Sequence, residues 1–197
     1  MLEEKRQKFN TIGKNIGSFF SKFGLSANQY SILSLLFIMV SFYFLTKINF
    51  LLSLVCFLIA AFLDLVDGAV ARTTETATKN GAYIDTICDR YVEAVILLGF
   101  LFLPLAGFIL PAKIWIFLSI LGSLMTTYAK AAAKEKELVL KELRKGFVGR
   151  GERMILISLS MVLGIFNLSF VIYPIVVLAI FSNITAFQRI YLALSPR

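Results

Sequence analysis

Histidine is absent from this sequence. Acid–base chemistry near neutral pH therefore falls to carboxylates, lysine, tyrosine or metal-bound groups. Cysteine is scarce: Cys56 and Cys88 both sit in apolar blocks without C-x-x-C spacing, so neither a disulfide nor a zinc site is indicated. The opening MLEEKRQKFN is too polar for the apolar part of a cleavable signal, and none is expected. No repeat, low-complexity tract or second domain stands out, so 1–197 reads as one domain. What is abundant is apolar: 58% of the residues are hydrophobic and the mean hydropathy is +0.82. Soluble domains run nearer about 45–50% apolar, so this is a membrane composition.

The apolar residues fall in six blocks, near 29–47, 49–71, 83–107, 112–133, 153–169 and 170–191. A helix crosses a bilayer with roughly 20 such residues. The expected fold is all-α and integral to the membrane, a six-helix bundle over 29–191. Asn167 and Ser169 mark the turn between the last two spans. Before the bundle, Phe9, Ile12, Ile16, Phe19, Phe20 and Phe23 recur at helical steps among Lys5, Arg6, Lys8, Lys14 and Lys22. That pattern predicts an amphipathic interfacial helix over 1–25, which Gly13 and Gly17 weaken. Between spans four and five, Glu137, Lys141 and Lys145 keep helical spacing, which extends the fourth helix until Gly146 ends it.

The net charge is +8. On a soluble chain this would point to nucleic acid; here the charge is sorted by loop, and no nucleic-acid partner is expected. With six spans, only Lys47 and Lys113 of the 20 Lys and Arg residues fall on the side opposite the termini. The positive-inside rule then places both termini in the cytoplasm of a multi-pass cell-membrane protein.

The informative stretch is FLDLVDGAVARTTETATKNGAYIDTICDRYVE, residues 62–93. Asp64 and Asp67 are three apart and Asp85 and Asp89 four apart, so each pair shares a helix face. A short connection makes the two helices antiparallel neighbours whose carboxylates can converge. A carboxylate within a span costs about 2.5–3.5 kcal/mol, and neighbouring carboxylates repel. Hard divalent cations with oxygen ligands would offset that, and two ions about 3.5–4 Å apart suit phosphoryl displacement. A proton or cation pathway, as in a coupled transporter, is the other reading of such a cluster. Gly68 and Gly81 lie about one turn from the aspartates and leave room for a ligand to approach the backbone.

The whole spacing is D-x2-D-G-x2-A-R-x8-G-x3-D-x3-D, carried by Asp64, Asp67, Gly68, Ala71, Arg72, Gly81, Asp85 and Asp89. It resembles the signature of the CDP-alcohol phosphotransferase family, whose members displace CMP from a CDP-linked substrate by attack of an alcohol. The resemblance implies two Mg2+ or Mn2+ ions and a homodimer. It implies Asp64, Asp67 and Asp85 as metal ligands, and Asp89 as general base and ligand of the second ion. Gly68, Ala71, Arg72, Thr78 and Gly81 then surround the CDP group. Upstream, GLSANQYS resembles the family's G-L-S-P-N-x-x-T segment. Asn28 and Ser31 would cap the first span and touch the nucleotide, with Ala27 where proline is common.

Further on, Arg90 after the fourth aspartate, YAKAAA, GRGERMILI and QRIYL resemble the inositol-phosphate branch of the family. By that matching Lys130, Arg153 and Arg189, with Arg150 as a fourth, would hold the acceptor's phosphate, although Ala132 replaces an arginine of the branch. The resemblance therefore implies a CDP-linked lipid, CDP-diacylglycerol or CDP-archaeol, as donor and inositol phosphate as acceptor. Glycerol 3-phosphate, myo-inositol or another small alcohol is the alternative acceptor. Positive-inside anchoring of span ends is the other reading of the same cations.

Overall fold

The computed structural model describes residue 13 and residues 15–74, 78–139 and 146–195. Residues 15–21 are helical. The long helices that follow are α1 Ala27–Thr46, α2 Phe50–Thr73, α3 Lys79–Phe100, α4 Ala112–Glu135, α5 Arg150–Phe166 and α6 Ile172–Leu194. Among the described residues the β structure amounts to one bridge between Phe108 and Leu110. The architecture is all-α, as expected.

Four stretches are long and apolar enough to cross a membrane: Ala27–Thr46, Phe50–Thr73, Ala112–Glu135 and Leu168–Leu194. Only 33% of the α1 and of the α2 span is buried within the protein, so most of their apolar surface needs lipid as its solvent. The two remaining helices fall outside that set. α3 carries Asp85, Asp89, Arg90 and Glu93, and α5 has 17 residues.

Helix ends depart from the sequence expectations for local reasons. Ser26, rather than Asn28 or Ser31, caps α1. Its backbone N–H donates to Gln29 Oε1 at 2.8 Å and its Oγ accepts from the Gln29 N–H at 3.4 Å, a reciprocal capping pair. α3 stops at Phe100 instead of running to 107, because Pro104 cannot donate and disfavours helix in the residue before it. α4 stops at Glu135 and does not continue through Glu137. Glu137 adopts φ +57°. Its N–H donates to the Lys134 carbonyl at 3.1 Å and the Leu138 N–H to the Ala133 carbonyl at 3.0 Å, which is a Schellman closure. Lys141 and Lys145 lie outside the described residues. The turn before α6 is where it was expected: Leu168–Phe170 form a 3-10 turn, and the Asn167 side chain accepts from the Ser169 N–H.

The chain forms two compact units. One comprises Met1–Ser41 and Val55–Val92, the other Phe42–Leu54 and Glu93–Arg197. The first is centred on Tyr30, Val66 and Val70, with Ile16, Phe20, Leu25, Leu33 and Leu63 packed around them. Tyr30 donates its hydroxyl to the Phe20 carbonyl at 2.9 Å. Gly17 is where the N-terminal helical segment meets α2: a Cβ there would lie 2.5 Å from the Ala69 carbonyl oxygen. Phe19 and Phe23 stay exposed. The rest of the expected interfacial helix, residues 1–12 and 14, lies outside the described residues.

In the second unit α4 and α6 approach closely through small residues, as membrane helices do. Asn183 Nδ2 donates to the Leu118 carbonyl at 2.9 Å, and Ser119 Oγ to the Ile175 carbonyl at 3.1 Å. A Cβ on Gly122 would sit 2.9 Å from the Asn183 backbone nitrogen, which cannot swing aside. Gly122→Ala is therefore expected to destabilise the protein by about 1–3 kcal/mol, read as a lower thermal midpoint in detergent. An unchanged midpoint would show that α4 and α6 are not held at this separation.

Candidate functional site

In the first unit the second half of α2 and the first half of α3 carry the acidic residues. Helical spacing puts Asp64 and Asp67 on one face of α2. Each of Asp64, Asp67 and Asp85 offers a carboxylate oxygen lying within 4.8 Å of the other two. Asp67 is buried at 4% exposure, and Asp64 and Asp85 are half-buried. Ser31 donates its hydroxyl to Asp67 Oδ2 at 2.6 Å and so fixes that carboxylate from α1. Asp89 is not in the three-carboxylate group. Its Oδ2 lies 3.7 Å from Arg90 Nη2, so the structure joins three of the four expected ligands and seats the fourth beside an arginine.

Beside the carboxylates is a cavity of about 400 Å³, within the range of roughly 300–1,000 Å³ typical of small-molecule sites. α1 contributes Asn28 and Ser31 to its lining, α2 contributes Asp67, Gly68, Ala71 and Arg72, and α3 contributes Gly81, Ala82 and Asp85. Thr78 lines it from just before α3, and its Oγ accepts from the Gly81 N–H at 3.0 Å. It thus caps the helix end whose partial positive charge favours an anion. Arg72 folds back over Gly68: a Cβ at Gly68 would meet its Nη1 at 3.3 Å. A side chain at 68 would press on the guanidinium, which would have to give by a few tenths of an ångström. Every residue expected around the CDP group, Asn28, Gly68, Ala71, Arg72, Thr78 and Gly81, lines this one cavity.

The second unit holds the other predicted cations. Arg153 is 2% exposed and Glu93 is 2% exposed. Arg153 forks onto Glu93, with Nε on Oε1 and Nη2 on Oε2, the latter at 3.1 Å. Its Nη1 donates to Thr126 Oγ1 at 3.2 Å, and Arg189 Nη1 donates to the Thr126 carbonyl at 2.6 Å. Arg153 and Arg189 thus meet at Thr126. Lys130 follows one turn later on the same helix and is half-buried, and Arg150, also half-buried, opens α5.

Sequence reasoning gave no role to Glu93, Thr126, Ser26 or Ala82. For Glu93 a signal existed: an acid and an arginine, each inside an apolar helix, must find partners. Ser26 was legible as half of S-x-x-Q ahead of an apolar run.

The fold and site together define an all-helical membrane protein with a carboxylate-centred cavity suited to a charged, phosphate-bearing ligand. The sequence profile of the CDP-alcohol phosphatidyltransferases matches residues 25–187, and the chain belongs to that family. It is 33% identical to the archaetidylinositol phosphate synthase of Pyrococcus horikoshii, over 97% of this chain and 95% of that protein. It is also 33% identical to the bifunctional IPC transferase and DIPP synthase of Aquifex aeolicus, over 75% of this chain but 37% of that longer protein. Among solved structures it resembles the Mycobacterium tuberculosis phosphatidylinositol phosphate synthase with CDP-DAG bound. The TM-score is 0.78 and the identity 22%, over 95% of this chain and 98% of that one. At that identity the likeness establishes the fold.

The Ser31–Asp67 bond is the most local support of the carboxylate group. Removing the hydroxyl strands a buried acceptor, so Ser31→Ala should cost about 1–3 kcal/mol whereas Ser31→Thr should be far milder. Thermal midpoints of the two variants check this; equal midpoints would mean that the bond does not hold Asp67.

Proposed function

We propose that this transferase moves a lipid phosphate from a CDP-linked lipid, CDP-diacylglycerol or CDP-archaeol, onto a hydroxyl of inositol phosphate and releases CMP. The observation that carries the reading is the cavity in which Asp67 and Asp85 stand among all six expected CDP contacts. The archaetidylinositol phosphate synthase of Pyrococcus horikoshii, similar along nearly its whole length, supports the choice of acceptor. The cation-pathway reading of the carboxylates gives way to family membership.

The donor set fits a hard divalent cation: three carboxylates within 4.8 Å of one another, without sulfur or imidazole. The relative from Mycobacterium tuberculosis has been crystallised with manganese. Asp64, Asp67 and Asp85, with Asp89 for a second ion, would hold Mg2+ or Mn2+. When bound, these ions neutralise the pyrophosphate and stabilise the departing CMP. Arg72 and the capped end of α3 bind phosphate oxygens. Asn28 and Gly81 border the space for the nucleoside. Asp89 takes the proton of the attacking hydroxyl as the acceptor oxygen bonds to the lipid-bearing phosphorus and the bond from that phosphorus to CMP breaks. Lys130, Arg150, Arg153 and Arg189 supply cations for the acceptor's phosphate.

In this reading 1–197 acts as one domain with six spans. Both termini face the cytoplasm, and the N-terminal helix lies on the membrane surface. The donor's tails enter sideways from the bilayer and the acceptor enters from water. Two copies pair, as the family resemblance implies. A second reading keeps the chemistry with myo-inositol, or another alcohol such as glycerol 3-phosphate, as acceptor. Ala132 favours it, because it stands where the inositol-phosphate branch carries an arginine and so removes one cation from the acceptor side.

CMP release from CDP-diacylglycerol by the purified protein tests this reading. Release should require Mg2+ or Mn2+ and inositol phosphate. It should fall by about 10²-fold or more in Asp89→Asn, the usual scale for a lost general base. Turnover with another alcohol and none with inositol phosphate would remove the acceptor assignment. Undiminished release by Asp89→Asn would remove the base.

A further inference from the structure

The Glu93–Arg153 pair lies outside the cavity lining and is more deeply buried than the Asp89–Arg90 and Glu135–Lys136 pairs. A buried pair of this kind seldom adds net stability over a well-packed apolar pair of the same size. Its presence therefore calls for another explanation. The geometry points to one. The guanidinium of Arg153 is held on three nitrogens, two by Glu93 and one by the Thr126 hydroxyl. The carbonyl of the same threonine takes Arg189. Four helices, α3, α4, α5 and α6, each send one residue to this node, which sets the two guanidiniums in a fixed relation.

We propose that Glu93 and Thr126 are positioning residues for the acceptor's phosphate. They hold Arg153 and Arg189 as a preformed two-pronged anion receptor. This rests on the reading of those arginines as acceptor ligands. An arginine left to itself loses rotamer freedom when it closes on an anion. One already locked in its fork meets the phosphate without that loss, and the affinity gained is that of preorganisation. Glu93 also makes the buried guanidinium tolerable in the empty protein. Thr126 is the common partner, so the two arginines move together or not at all. The site thereby selects an acceptor whose phosphate stands where the two prongs converge, and rejects an alcohol that lacks one.

The test uses the full chain in lipid nanodiscs, with CMP release from CDP-diacylglycerol as the signal. Wild type is assayed first with inositol phosphate and with myo-inositol. Turnover with myo-inositol alone overturns the acceptor reading and this proposal with it. With inositol phosphate active in wild type, Glu93→Gln should raise its KM by about tenfold or more while leaving the KM for CDP-diacylglycerol unchanged. Thr126→Val should act the same way. Because Glu93→Gln leaves a buried charge and can unfold the protein, the double variant Glu93→Met/Arg153→Met is the control: apolar replacement of both partners keeps such cores folded. It should keep a thermal midpoint near that of wild type yet lose its preference for inositol phosphate over myo-inositol. A folded double variant with wild-type KM for inositol phosphate, or folded single variants that move both substrates' KM together, would reduce the node to a structural pair and overturn the proposal.

Discussion

Charge in an apolar helix must be answered by opposite charge or by hydrogen bonds, because neither lipid nor protein core can solvate it. That constraint shapes the first unit. One turn of α2 and one of α3 bring the carboxylates of Asp64, Asp67 and Asp85 within 4.8 Å of one another. Ser31 hydrogen-bonds to the most buried of them from a third helix. Such an arrangement suits a host for cations, since like charges at this distance repel. The neighbouring features suit an anion: Arg72 folded over a glycine, and the end of α3 capped by Thr78. A site that attracts cations at one wall and phosphates at the next is what metal-assisted transfer from a pyrophosphate requires.

The second unit meets the same constraint differently. There the buried acid, Glu93, is answered by an arginine of the same chain, which also donates to the Thr126 hydroxyl. The carboxylate group is open to an exogenous ion, whereas the Glu93–Arg153 pair is closed by covalently attached charge. One arrangement exchanges its partner with solution and the other keeps it. The first suits a group that handles a reacting substrate, and the second suits a group that aims other side chains.

Much of this was legible in the amino-acid order, because long apolar blocks and fixed aspartate spacing are local signals. Six helices occur where six apolar blocks lie, and the six residues expected around the CDP group share one cavity. What escaped depends on single residues or on distant partners. Glu137 fits a helical spacing with Lys141, yet its left-handed backbone closes α4 two residues earlier. Ser26 outcompetes Asn28 as a cap because Gln29 answers it. Glu93 and Arg153 are 60 residues apart, and no periodicity links them. Asp89 shares a helix face with Asp85, yet its carboxylate sits beside Arg90 rather than within the three-carboxylate group, a choice of rotamer and neighbour that spacing alone does not express.

The central claim is that the converging carboxylates hold divalent metal, and Mn2+ binding measured by electron paramagnetic resonance on the purified full chain tests it most directly. Wild type should bind Mn2+ saturably. Asp67→Asn and Asp85→Asn should each weaken binding by about tenfold or more, at least the scale seen for lost supporting groups around metals, with the fold intact by circular dichroism. Folded variants that bind Mn2+ as wild type does, or a wild type that binds none, would contradict the account.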